Sequence, residues 1–187
     1  KIPKTEKCLS SDAGFVSNQI GYPVVLKALG SAHKSDLGEV FLNLRTQKAV
    51  ENAANKILQE HVIVEKMVSD IVLELLVGVV HDPAHGMLLT LAAGGVLTEI
   101  LSDTSSLLLP SSEVEVLECF YQLRVSKIAK GYRGLSKVDV NQIVDAIMKI
   151  QEFVLDNRDK VFEIEINPLI VTNSEVIVAD ALIRKVT

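Results

Sequence analysis

Lys27 is the only charged residue in the apolar run from Val24 to Leu29, and the residues that follow, Gly30-Ser31-Ala32-His33-Lys34-Ser35-Asp36-Leu37-Gly38, have the composition of a loop. A strand places a lysine rigidly, and a loop after it supplies flexible backbone N–H groups, so the two together suit a polyphosphate. The spacing excludes two common phosphate sites: there is neither a Gly-Lys-Ser/Thr closing a Walker loop nor a three-glycine dinucleotide turn. A blander reading stays open, in which the Lys27 stem packs and its ammonium reaches water while residues 33–36 form a solvated turn.

A second group of polar side chains lies near the C-terminus, in Phe162-Glu163-Ile164-Glu165-Ile166-Asn167-Pro168-Leu169. Alternation along a strand puts Glu163, Glu165, Asn167 and Leu169 on one face and Phe162, Ile164 and Ile166 on the other. The tight turn Thr172-Asn173-Ser174-Glu175 folds the next strand back and sets Asn167 opposite Asp180, with Cβ atoms about 5 Å apart. An amide oxygen, a carboxylate and a second carboxylate at Glu165 match the needs of Mg²⁺, which takes one or two protein oxygens and completes its octahedron with waters and phosphates. The alternative is the solvated face of an amphipathic hairpin. Asn-Pro is unusual there, because Asn has poor strand propensity and Pro cannot donate to the ladder.

The elements that would position these residues are legible from periodicity. Ser10-Ser11-Asp12 caps a helix over 13–20, and the Lys27 strand is followed by a strand over Val40–Leu44 and a helix capped by Thr46. A strand over 61–68 leads to a hairpin of 71–80 and 87–91, joined by the Asp82-Pro83 turn. One helix is predicted from Ser112 to about Lys130, with a Ser112/Glu115 capping box and a break at Gly131-Tyr132-Arg133-Gly134. Another is predicted over 140–155, followed by strands over 161–171 and 175–182. This mixed order predicts an α+β class with largely antiparallel sheets.

Composition narrows the function classes. The 187 residues are 48% hydrophobic but only 4% aromatic, with no tryptophan, so a real core must be aliphatic. A net charge of −5 lacks the basic stripe that a nucleic-acid surface needs. Cys8 and Cys119 have no metal-ligand spacing, and the apolar runs are strand-length, so the sequence predicts a cytoplasmic protein with no membrane contact. The start at Lys1-Ile2-Pro3, without methionine, is read as a piece or subunit of a larger protein.

An ordered series of short motifs then resembles a known family. Tyr22-Pro23-Val24-Val25-Leu26-Lys27, His33-Lys34-Ser35-Asp36-x-Gly38, Glu74-Leu75, Gly78-Val79, Asp82-Pro83, Gly94-Gly95-Val96 with Glu99, Gly131-Tyr132-Arg133-Gly134 and Glu165-Ile166-Asn167-Pro168-Leu169 occur in that order. Together they are similar to the ATP-grasp domain of NDP-forming acyl-CoA synthetases, such as ADP-forming acetate–CoA ligase, over about residues 2–184. The resemblance implies an ATP-grasp fold in which two lobes, approximately 1–67 and 68–187, clamp a nucleotide. It implies transfer of a phosphoryl group between a phosphohistidine and ADP or ATP, with Mg²⁺, and a CoA-binding partner subunit or domain. It places Lys27 on the phosphates and Ser35, Gly38 and Glu74 at the nucleotide. Glu65, Lys66, Met67 and Val68 become the adenine hinge, Asn167 and Asp180 the metal ligands, and His33 either a second phosphohistidine in a relay, as in some relatives, or a hydrogen-bond donor to phosphate. Two departures stand out: Gly38-Glu39 replaces the usual Gly-Gly, and Leu107 replaces an arginine that would steady phosphate charge. The second function class, favoured by Leu107, is a degenerate or regulatory nucleotide-binding domain of a multidomain protein such as a synthetase-like acetyltransferase.

Overall fold

A computed structural model describes residues 1–29, 40–95, 102–131 and 136–186. The chain divides into two compact units, one of residues 2–68 and one of Lys1 with residues 69–187. The segments holding His33, Ser35 and Gly38, and most of the Gly131–Gly134 break, lie outside the described residues.

The first unit is an antiparallel sheet of β1 (Thr5–Leu9), β2 (Val24–Ala28), β3 (Val40–Leu44) and β4 (His61–Lys66) in the order β1-β4-β2-β3. Helices α1 (Ala13–Ile20) and α2 (Gln47–Ala54) cover one side of it. The α2 N-terminus is capped as expected, with the Thr46 hydroxyl accepting from the Ala49 N–H at 3.2 Å. Alternation sends Val24, Leu26 and Ala28 of β2 and Val62 and Val64 of β4 into a core with Ala13, Val16, Ile20 and Val50. Val25, Lys27, Ile63 and Glu65 therefore share the other face. Residues 5–9 form the edge strand β1 because β4 offers them a full antiparallel register from Thr5–Glu65 to Leu9–His61.

The second unit holds β5 (Ile71–Asp82), β6 (Gly86–Ala93), β7 (Thr104–Leu108), β8 (Val161–Thr172), β9 (Val176–Val178) and β10 (Ala181–Lys185). They run antiparallel in the order β10-β8-β5-β6-β7, with β9 also on β8. Leu73, Leu75, Val77 and Val79 of β5 and Leu89 and Leu91 of β6 pack on Phe120, Ile143, Ile147 and Val154. Those last four belong to α3 (Glu113–Gln122) and α5 (Val140–Asp156).

Three expectations are corrected here. The single helix over 112–130 is two, α3 and α4 (Ser126–Ala129), because Leu123 turns extended and buried Asp103 accepts the N–H groups of Arg124 and Val125 at 2.8 and 2.9 Å. The capping box itself is present. The final strand is interrupted at Ala179-Asp180, between β9 and β10. The strict alternation of β8 also fails at both ends. Leu169 is fully buried with Ile164 and Ile166, whereas Phe162 is 43% exposed and Val161 takes the inner place. The cause at Leu169 is a bulge: Ile166 pairs with Val77 and Leu169 with Leu75, so Asn167 and Pro168 together oppose Leu76. The extra residue shifts the phase and returns Leu169 to the core.

Candidate functional site

Candidate residues occur in each unit. In the first, all five residues of β2 are buried, Lys27 among them at 7% exposure. Its Nζ lies 3.1 Å from both carboxylate oxygens of Glu65, itself 6% exposed. The pairing explains how they meet. Val25 is opposite Glu65 and Ile63 opposite Lys27, so the two charged residues are diagonal neighbours on one face, within reach of long side chains. The reading of Lys27 as a stem packed beneath a solvated ammonium is thus corrected: the charge is buried and paired.

Of the four hinge residues expected from the resemblance, Glu65 and Lys66 are the last two of β4, and Met67 and Val68 follow it half-buried. Their side chains are not equivalent. Lys66 donates to the carbonyls of Gly21 and Tyr22 at 3.0 and 2.6 Å, and the Met67 N–H donates to the Pro23 carbonyl at 3.1 Å. These bonds tie the end of β4 to the turn that enters β2.

In the second unit, Glu74, Gly94-Gly95, Asn167 and Asp180 come together. The Gly94 N–H donates to the Glu74 carbonyl at 2.8 Å, and the Gly95 N–H donates to the Asn167 Oδ1 at 3.2 Å. Both positions require glycine. A Cβ on Gly94 would stand 2.5 Å from the Leu75 carbonyl carbon. Gly95 has φ +65°, and a Cβ there would overlap a Glu74 carboxylate oxygen. The Gly-Gly doublet was visible in the sequence, but nothing in it announced the bond to Asn167, 72 residues away.

The Asn167–Asp180 register follows the turn. Leu169 pairs with Val178 and Ile166 with Ala181, and between them the Asn167 N–H donates to the Asp180 carbonyl at 3.2 Å. Asp180 Oδ1 accepts from the Ala181 N–H at 2.9 Å. Glu165, Asn167, Glu74 and Asp180 are all half-buried. Glu165 lies opposite Gly78 on one side and Leu182 on the other, and Glu163 pairs with Arg184 at 3.0 Å. Among the described residues no group of three His, Cys, Asp or Glu could hold a metal. A transition-metal centre is not what these residues offer. An amide and a carboxylate, both oxygen donors on adjacent stretches of chain, do fit Mg²⁺, which leaves its other positions to water and phosphate.

Leu107 lies on the other side of this sheet. It is half-buried, packs against the helix-covered core and pairs with Leu89, whereas Glu165 and Asn167 lie on the face away from Ile164 and Ile166. An open concavity along α5, between Asp145 and Asp156, contains none of the candidate residues.

Comparison with known proteins identifies the family. The family model described as "ATP-grasp domain" matches residues 2–184. The chain is 31% identical to the beta subunit of Acetate–CoA ligase [ADP-forming] I of Pyrococcus furiosus, covering 97% of this chain and 81% of that subunit. It is 32% identical to Acetate–CoA ligase [ADP-forming] II of Archaeoglobus fulgidus over 96% of its own length, but spans only 28% of that longer protein. Among solved structures it superimposes on the dinucleotide-forming acetyl-coenzyme A synthetase 1 of Ca. Korarchaeum cryptofilum with a TM-score of 0.82 and 32% identity, covering 99% of this chain and 86% of that one. That structure holds coenzyme A and Mg-AMPPCP, with its phosphohistidine segment pointing towards the nucleotide binding site. With antiparallel sheets in both units, glycines closing on Asn167 and a family match over nearly its whole length, the chain belongs to the ATP-grasp family that includes the ADP-forming acetate–CoA ligases.

Proposed function

We propose that this chain is the nucleotide-binding component of an NDP-forming acyl-CoA synthetase and moves a phosphoryl group between a phosphohistidine and ADP. The observation that carries the reading is the pairing of Asn167 with Asp180 at the β8 bulge, steadied by the Gly95 N–H, on the polar face of the larger sheet. The roles then divide by chemistry. Lys27 supplies a strand-held cation for the phosphates, and Ser35, Gly38 and Glu74 belong to the nucleotide's surroundings. The backbone of residues 65–68 is the edge offered to the base. Asn167 and Asp180 supply oxygens to Mg²⁺, with Glu165 as a further carboxylate. The ion, when bound, neutralises phosphate charge as phosphate changes hands.

In the transfer itself, the P–N bond of the phosphohistidine breaks as a P–O bond to the terminal ADP oxygen forms, and the leaving imidazole nitrogen keeps the bonding pair and takes up a proton from solvent. With His33 as a second phosphohistidine, this transfer is the last of two: a P–N bond to His33 first forms as the P–N bond of the donor histidine breaks, and His33 then gives the phosphoryl group to ADP. The donor histidine belongs to a CoA-binding subunit or domain, which the relatives' subunit organisation supports. Leu107 gives little support to a degenerate module, because it packs on the core face and not beside Asn167.

Titration calorimetry of the purified chain with ADP and ATP, each with and without Mg²⁺, tests the assignment. Binding that Mg²⁺ strengthens is expected. The absence of binding to either nucleotide would refute it.

A further inference from the structure

The Glu65 carboxylate sits on the Lys27 ammonium, with both oxygens at 3.1 Å, and the Thr5 hydroxyl lies 3.5 Å from one of those oxygens. All three residues project from the face of the sheet opposite α1 and α2, which they share with Val25, opposite Glu65, and Ile63, opposite Lys27. Two buried charges so arranged sustain each other, since removing either takes from the other its counter-ion in a poorly solvated place. The same pairing neutralises Lys27 as seen by an approaching anion.

We propose that Glu65 is a positioning residue that acts on nucleotide through Lys27. It holds and neutralises the ammonium in the free protein, and it must share or surrender that ammonium to an incoming phosphate. The pair thereby sets how strongly the chain prefers phosphorylated nucleotide over bare nucleoside. This rests on the reading of Lys27 as a phosphate-binding residue and gives Glu65 a role distinct from the adenine hinge. A neutral amide in place of the carboxylate can still hydrogen-bond but cannot cancel the charge, so Lys27 would then meet phosphate without the Glu65 charge competing for it.

The test is a set of titrations with ATP, ADP and adenosine on the original chain, Glu65→Gln, Glu65→Asp and Lys27→Ala. Glu65→Gln should lower the melting temperature without ligand, as loss of a buried counter-ion must. It should nonetheless bind ATP and ADP about tenfold more tightly relative to adenosine, one charge-assisted contact no longer being contested. Its ATP affinity should also fall more steeply with added salt. Glu65→Asp keeps the charge but draws it back by a methylene, so its ATP-to-adenosine ratio should lie between that of the original chain and that of Glu65→Gln; it also serves if the amide variant does not fold. A purely structural Glu65 would lower stability and leave both ratio and salt slope unchanged, which overturns the proposal, as does a ratio that falls. If Lys27→Ala loses no preference for ATP, the phosphate reading of Lys27 has failed, whatever Glu65 does.

Discussion

At the scale of single residues, Lys27 and Asp180 differ in what their loss should do. Lys27 is buried against Glu65, so Lys27→Ala takes the counter-ion from a buried carboxylate and should cost about 3–5 kcal/mol of stability, measurable by urea unfolding. Its effect on ligand is separable. ATP should weaken roughly tenfold or more while adenosine is unchanged, because a charge-assisted contact is worth about 1.5–3 kcal/mol and only phosphate makes it. Equal losses for both ligands would remove Lys27 from the phosphate site. Asp180 is half-buried, with one carboxylate oxygen on its neighbour's N–H, and the apolar residues around it do the packing. Asp180→Asn should therefore melt within about two degrees of the original chain without nucleotide, as a surface change does. It should lose most of the extra melting-temperature shift that Mg²⁺ adds to bound ATP, since linkage converts affinity into stability. A full Mg²⁺-dependent shift in the variant would place the metal elsewhere, with Glu165 the next carboxylate to substitute.

At the scale of elements, two devices shape the second unit. The bulge at Asn167-Pro168 turns one residue of β8 out of phase, so that Asn167 faces the polar side while Ile166 and Leu169 both remain in the core. The other device is the entry to α3. There the Glu115 carboxylate accepts from the Ser112 N–H and hydroxyl, both at 2.7 Å, while the Ser112 hydroxyl accepts from the Glu115 N–H. The Ser112 backbone bond, then its hydroxyl, hold the Glu115 carboxyl below its ordinary value. A depressed pKa contributes stability above the unfolded carboxylate range near pH 4 and loses it as pH falls through the lower folded value. Ser112→Ala should accordingly lower stability at neutral pH and flatten the acid-side slope. Urea unfolding from about pH 3 to 6 would show both effects, and an unchanged slope would mean that the capping box is not formed in solution.

At the scale of the whole molecule, two units each have their own aliphatic core, and the family match occupies residues 2–184. Among the described residues no helix is long and apolar enough to cross a membrane. The described residues also offer no CoA-binding fold and no phosphohistidine segment from such a partner. The purified chain incubated with ATP, Mg²⁺, acetate and CoA should thus produce no acetyl-CoA above background, and a CoA-binding subunit added in trans should restore turnover. Chromatographic detection of acetyl-CoA formed by the chain alone would refute the division of labour.

What the sequence by itself determined lies in contacts that are local or nearly so. The turn at Asn173-Ser174 and a period of two carry enough information to set Asn167 beside Asp180, and a serine three residues before a glutamate is enough for a cap, because each depends only on residues one turn or one hairpin away. The motif series carried the family for a different reason, its order along the chain. The rest was decided by tertiary structure. Glu65 meets Lys27 only because β4 lies against β2 in the order β1-β4-β2-β3, and Gly95 reaches Asn167 only because β8 lies beside β5. Asp103 divides a helix whose own periodicity runs on unbroken, because its carboxylate is delivered from 21 residues upstream. Even the core position of Leu169 depends on a partner strand, since a bulge exists only as a mismatch between two strands and no single strand's alternation contains it.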